Sequence, residues 1–241
     1  MAYRIEVAGK VVEIRGLYPY GQKFCEEYLS DKVPDFEISV TREDIEAERK
    51  LVGDMYPDPM LEATAIHRKL TEKLAEESIV LFHGSALSLD GEAYLFCAPS
   101  GTGKSTHARL WREVFGKRVR MINDDKPYLK FVGDECLVFG SPWCGKEKLG
   151  ENISVPLRAI GIIERDKDSF VLPVPKDERF KTICPFAYLP ENGQNVSGVI
   201  SELLKLSNTV PVFRIHATMD KKSAEAAAGA MRGGDKAYET H

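Results

Sequence analysis

The run Ala93-Tyr-Leu-Phe-Cys97, followed directly by Ala98-Pro-Ser-Gly-Thr-Gly-Lys-Ser-Thr106, constrains the fold more than any other part of the chain. The apolar run reads as a buried strand and the glycines as a tight turn. The stripe Ala108, Trp111, Val114 and Phe115 reads as a helix that Gly116 stops. Strand, glycine turn and helix in this order predict a P-loop, in which backbone N–H groups point inward and the helix N-terminus adds a favourable dipole. Lys104 would reach the outer phosphates and Ser105 would offer its hydroxyl to Mg²⁺. The expected ligand is a nucleotide or another polyphosphate, held by Ser100, Gly101, Thr102, Gly103, Lys104, Ser105 and Thr106. Ala98 stands where the usual pattern has its first glycine.

At 241 residues the chain has room for one large α/β domain with a small additional lobe. Its net charge of −4 argues against coating a nucleic acid, which calls for a basic surface. No stretch approaches the roughly 20 apolar residues of a membrane span. The opening residues lack the apolar core of a signal peptide, and a cytoplasmic protein is expected. Five cysteines, at 25, 97, 136, 144 and 184, contain no Cys-x-x-Cys pair and fit neither a disulfide framework nor a zinc site.

Alternation over residues 3–14 around Ala8-Gly9-Lys10 predicts a hairpin, and Phe36, Ile38 and Val40 a further strand of the same small N-terminal sheet. Residues 42–50 are charged enough for a solvated helix or loop. Leu61, Ile66, Leu70 and Leu74 mark a helix after Pro57 and Pro59. Residues 79–83 and their continuation 85–89 read as strand, with Asp90-Gly91 turning the chain into the strand that leads to the P-loop. Further strands are expected at 119–122, 128–132, 137–139, 159–163, 170–174 and 210–215, and helices at 196–206 and 221–231. The small-residue run 224–230 reads as a close-packed or exposed helix face. These assignments divide the chain into an N-terminal α+β lobe (1–78), a nucleotide-binding core (79–232) and a polar tail (233–241).

The strand at 119–122 delivers Asn123-Asp124-Asp125 at its C-terminal end, where ligands gather in open α/β sheets. Of Asp124 and Asp125, one would complete the Mg²⁺ shell beside Ser105 and the other accept the proton of an attacking hydroxyl. His83 is a candidate for proton handling, against the alternative of a hydrogen-bonded core residue. Lys146 and Lys148, in the turn-rich Ser141-Pro-Trp-Cys-Gly-Lys-Glu-Lys, and Arg165 and Arg214 at strand positions, are candidates for neutralising moving phosphoryl charge. Cys144 has no His or Asp nearby in sequence to suggest a nucleophilic dyad.

Taken together, His83-Gly84, the Gly-Thr-Gly-Lys-Ser-Thr loop and Asn123-Asp-Asp125 resemble the core of the HPr kinase/phosphorylase family and its relatives with a phosphoenolpyruvate-carboxykinase-type nucleotide fold. The resemblance covers residues 79–165 and extends to the strand and helix at 210–231. It implies a P-loop core with a mixed sheet, Mg²⁺ held by Ser105 with one of the aspartates, and Asp124, Asp125 and His83 handling the proton. The departures are Ala98, Thr106 where an acid follows in the family, and an N-terminal lobe without a counterpart, so HPr is not the expected acceptor. Stand-alone HPr-kinase-like proteins share the Ala-Pro-Ser-Gly-Thr-Gly-Lys-Ser-Thr loop and the Pro-Trp-Cys-Gly-Lys stretch, and some are associated with peptide modification. That likeness implies a kinase moving phosphate from ATP, or another nucleoside triphosphate, to a serine-type hydroxyl of a peptide, protein or small molecule. A carboxykinase-like activity on an oxo-acid and a nucleotide-binding scaffold without turnover stay open, as does self-association.

Overall fold

The computed structural model describes residues 1–191 and 193–234. Strands β1 (Ala2–Val7) and β2 (Lys10–Arg15) pair antiparallel across Ala8-Gly9. Both turn residues have positive φ, 53° and 73°, the twist that a two-residue hairpin requires. A short helix α1 (Tyr20–Phe24) follows, and β3 (Phe36–Ser39) joins the edge of β2 in parallel. The charged segment is helical: α2 (Arg42–Val52) starts on a capping box in which Thr41 and Asp44 satisfy each other's backbone N–H groups. Helix α3 (Asp58–Glu76) begins with Pro59 in its first turn and buries Leu61, Ile66, Leu70 and Leu74 against the small sheet.

The core follows with β4 (Val80–Leu81), β5 (Ser85–Leu89), β6 (Glu92–Cys97), α4 (Lys104–Phe115), β7 (Val119–Asn123), β8 (Tyr128–Val132) and β9 (Glu135–Phe139). It is completed by β10 (Ser154–Arg165), β11 (Phe170–Pro173), α5 (Lys176–Ile183), α6 (Gly193–Thr209), β12 (Val212–Ala217) and α7 (Lys221–Gly233). Among the described residues nine strands join in one mixed sheet, ordered β4-β8-β9-β10-β6-β5-β7, with β12 also beside β10 and β11 beside β12. The twelve-residue β10 serves both parts: Ser154 to Pro156 pair antiparallel with β9, and the remainder runs parallel between β6 and β12.

Burial of both faces of β6 explains why its sequence is apolar without alternation. Ala93, Leu95 and Cys97 enter one cluster with Leu203 and Leu206 of α6, while Tyr94, Phe96 and Ala98 enter another with Trp111 of α4 and Ala224, Ala227 and Ala228 of α7. The small-residue run is therefore a close-packed face. A third cluster unites the N-terminal sheet and α3 with Leu81, Tyr128 and Trp143, so apolar contact is continuous across position 79.

One expectation is corrected. Residues 79–89 are not one strand: β4 pairs with β8 and β5 lies between β6 and β7, at separate places in the sheet. The break falls at Gly84, where a Cβ would meet Leu95 Cδ1 at 2.8 Å and the Phe96 carbonyl oxygen at 3.0 Å. Only a residue without a side chain lets the backbone cross β6 so closely. At the C-terminus Gly233 still belongs to α7, and 235–241 of the expected tail lie outside the described residues.

Candidate functional site

β7 is antiparallel to β5 and β5 to β6, so β6 and β7 run the same way and end at the same edge of the sheet. The 98–106 turn leaves β6 there, and Asn123, Asp124 and Asp125 leave β7 there. In the turn, Gly101 and Gly103 have φ of 76° and 126°, a region that side chains oppose. Gly103 caps α4, no side chain caps that helix, and its first turn carries no acid. Its leading N–H groups and the positive end of its dipole are thus open to an anion.

The Lys104 ammonium lies 3.1 Å from the Ala98 carbonyl oxygen and 3.3 Å from His83 Nε2. The same imidazole nitrogen lies 3.3 Å from Asp125 Oδ1, and Lys126 Nζ is 3.3 Å from the other oxygen of that carboxylate. Backbone contacts set this geometry: the Gly84 N–H donates to the Asp125 carbonyl and the His83 N–H to that of Phe186. His83 Nε2 can accept from Lys104 or donate to Asp125 but cannot do both at once. Burial, and then the Lys104 charge, lower the His83 pKa below its ordinary value. Burial likewise lowers that of Lys104, against the opposing pull of Asp125.

Asp124 is placed differently. Its Oδ1 accepts the Gly145 N–H at 2.6 Å, and burial raises its carboxyl above the ordinary aspartate value despite that bond and one from the Leu149 backbone. It therefore ties down the 141–150 segment. Asn123 does the same from beneath, fully buried. Its Nδ2 donates to the carbonyls of Ser141 and Trp143, and its Oδ1 accepts the N–H groups of Asp125 and Lys126. The Trp143 ring stacks on His67 of α3 at 4.7 Å, and its Nε1 donates to the Ala63 carbonyl. Sequence reasoning missed these anchoring roles of Asn123 and Trp143. An Asx residue directly before two acids, at a strand end, was the available signal for the first.

The remaining candidates separate. Arg165, at the end of β10, donates through Nε to the Thr102 carbonyl at 3.0 Å and through Nη2 to that of Gly101, so it grips the outside of the turn. Because a trans peptide directs C=O and the following N–H oppositely, the grip on Thr102 turns the Gly103 N–H away from Arg165. Arg214 pairs with Glu164 at 2.6 Å, and among the described residues no contact joins it to Lys104, His83 or Asp125. Lys146 and Lys148 are exposed on the 141–150 segment. Ser100 and Ser105 are exposed on the turn, and Thr102 and Thr106 are half-buried. Burial pushes the Cys144 thiol up to about 12, which leaves it a poor nucleophile.

Among the described residues no three His, Cys, Asp or Glu side chains converge to hold a metal ion unaided. Mg²⁺ makes a smaller demand: one or two carboxylates, a ligand's phosphate oxygens and water suffice. Ser105, Asp124 and Asp125 carry oxygens of the hard type such an ion takes, with one Asp124 oxygen already on the Gly145 N–H.

No family model matches the chain, and no curated protein matches it. Among solved structures, the Hpr(Ser) kinase/phosphatase from Coxiella burnetii aligns with 62% of this chain and 94% of its own, at 9% identity and a TM-score of 0.37. Identity that low fixes no residue roles. Among the described residues no helix is long and apolar enough to cross a membrane.

Proposed function

We propose that this chain is a phosphotransferase that moves the terminal phosphoryl group of a nucleoside triphosphate, ATP foremost, to a hydroxyl. The supporting observation is the meeting of Lys104, His83 and Asp125 around one imidazole nitrogen, beside an uncapped helix start. In this reading the 98–106 turn is a P-loop. Ser100 to Thr106 line the phosphates, and Lys104 shifts from His83 to the outer phosphate oxygens. Ser105 and Asp124 would hold Mg²⁺, which would supply charge neutralisation at those oxygens.

Asp125 takes the proton of the acceptor hydroxyl and His83 Nε2 can receive it in turn. The hydroxyl oxygen bonds to the terminal phosphorus as the bond to the bridging oxygen breaks, and nucleoside diphosphate leaves with that electron pair. Positioning and charge carry most of the work in such a step. The test is calorimetric titration with Mg²⁺-ATP, followed by mass spectrometry of serine, peptide and glycerate acceptors. Tight nucleotide binding abolished in K104A, with phosphorylated acceptor lost in D125N, is the expected result. Binding without any transfer would leave a nucleotide-responsive binder, and no binding would sink the proposal.

A further inference from the structure

A cavity of about 520 Å³ opens between α1 with the turn after it and the 141–150 segment. One wall is Gly145, whose N–H is held by Asp124, so the cavity lies against the backbone that Asp124 ties down. Tyr20 and Phe24, stacked at 5.8 Å, supply an aromatic side that continues through Phe24 to Trp143. Around the opening stand Lys23 and Lys148, with Glu26 and Glu27. None of these four charges has an ion-pair partner among the described residues. Their neighbours do: Glu147 pairs with Arg112 and Glu151 with Arg120. Lys148 also holds φ of 52°, a strained position for a side-chain-bearing residue of the kind that gathers at functional sites.

From this we infer that the cavity is the acceptor site and that it takes a short peptide carrying the hydroxyl together with charges of both signs. Two free cations and two free carboxylates match a ligand with its own carboxylate and ammonium. A neutral polyol would leave the four exposed charges to water and gain nothing from them, and a polyanion would be repelled by the glutamates. The volume lies within the ~300–1,000 Å³ of small-ligand sites and exceeds what one serine fills. Aromatic walls suit the backbone and side chains of a few residues. The inference rests on the phosphotransferase reading for the fate of the hydroxyl, but not for binding.

The experiment uses the full chain with Mg²⁺ and a non-hydrolysable ATP analogue, titrated with a serine-centred tripeptide, the same peptide blocked at both ends, and free L-serine. In parallel, ATP replaces the analogue and phosphopeptide is measured. The free tripeptide should bind best, and K23E, K148E and E26K should each weaken it roughly fivefold or more, with nucleotide affinity unchanged in K23E. Equal binding of blocked and free peptide, indifference to all three reversals, or no peptide binding overturns the inference. Equal use of free L-serine overturns the peptide assignment. Transfer that ignores the reversals would remove the cavity while sparing the phosphotransferase reading. Charge-sensitive peptide binding without transfer would do the opposite.

Discussion

Asp125 and Asp124 are adjacent in sequence yet meet different surroundings, and the difference predicts different losses. Asp125 faces His83 and Lys126, whereas Asp124 is occupied by the Gly145 N–H. D125N should lower transfer by about 10²–10⁴-fold, the span of a lost general base, with Mg²⁺-nucleotide affinity held within a few-fold. D124N should loosen the 141–150 segment as well, visible as faster amide exchange at Gly145 and Leu149. Arg165 is the second residue to test. R165Q releases the Gly101 and Thr102 carbonyls to water, and with exposed contacts of about 1 kcal/mol at stake, nucleotide affinity should fall roughly fivefold while R165K keeps part of it. An R165Q protein with wild-type affinity would show that the turn holds its shape unaided.

At the level of elements, the 141–150 segment depends on one amide. Asn123→Ala strands the Asp125 and Lys126 N–H groups, while the Ser141 and Trp143 carbonyls keep contacts from Cys144 Sγ and Ser141 Oγ, and at about 1–3 kcal/mol for each stranded group the loss should be near 3 kcal/mol by urea denaturation. A loss under ~1 kcal/mol would mean that water replaces it readily. Much of this architecture was legible beforehand because local signals agreed. The apolar run 93–97, the Asp90-Gly91 and Ala8-Gly9 turns and the 61–74 stripe each point to one conformation, and each formed it. The break at Gly84 was hidden because its cause is the nearness of Leu95 and Phe96, a contact between strands that no local pattern reports. For the same reason the meeting of His83, Lys104 and Asp125 could be anticipated from strand ends, whereas the Arg165 grip on the turn could not. Strand-end position says where an arginine starts, not which carbonyls its side chain reaches.

Over the whole molecule, two buried imidazoles tie stability to pH. Burial pushes His67 down to about 3 and His107 down to about 4, from an ordinary 6.5. Below pH 6.5 the unfolded chain takes up these protons and the folded chain does not, so stability present above that pH is lost as it falls towards 4 and then 3. Each imidazole contributes a slope of about 1.4 kcal/mol per pH unit in its window. H67F, which keeps an aromatic ring against Trp143, should flatten the dependence of the thermal midpoint between pH 6.5 and 4. An unaltered slope would place the titration elsewhere. The double membership of β10 has a further consequence. Its first three residues and its last nine are one continuous extended segment, so the strands gathered at either end share a spine and cannot come apart in turn. Heating should produce a single calorimetric transition, and the register shift between Leu157 and Ala159 is the place along this spine where the two ends can flex against each other.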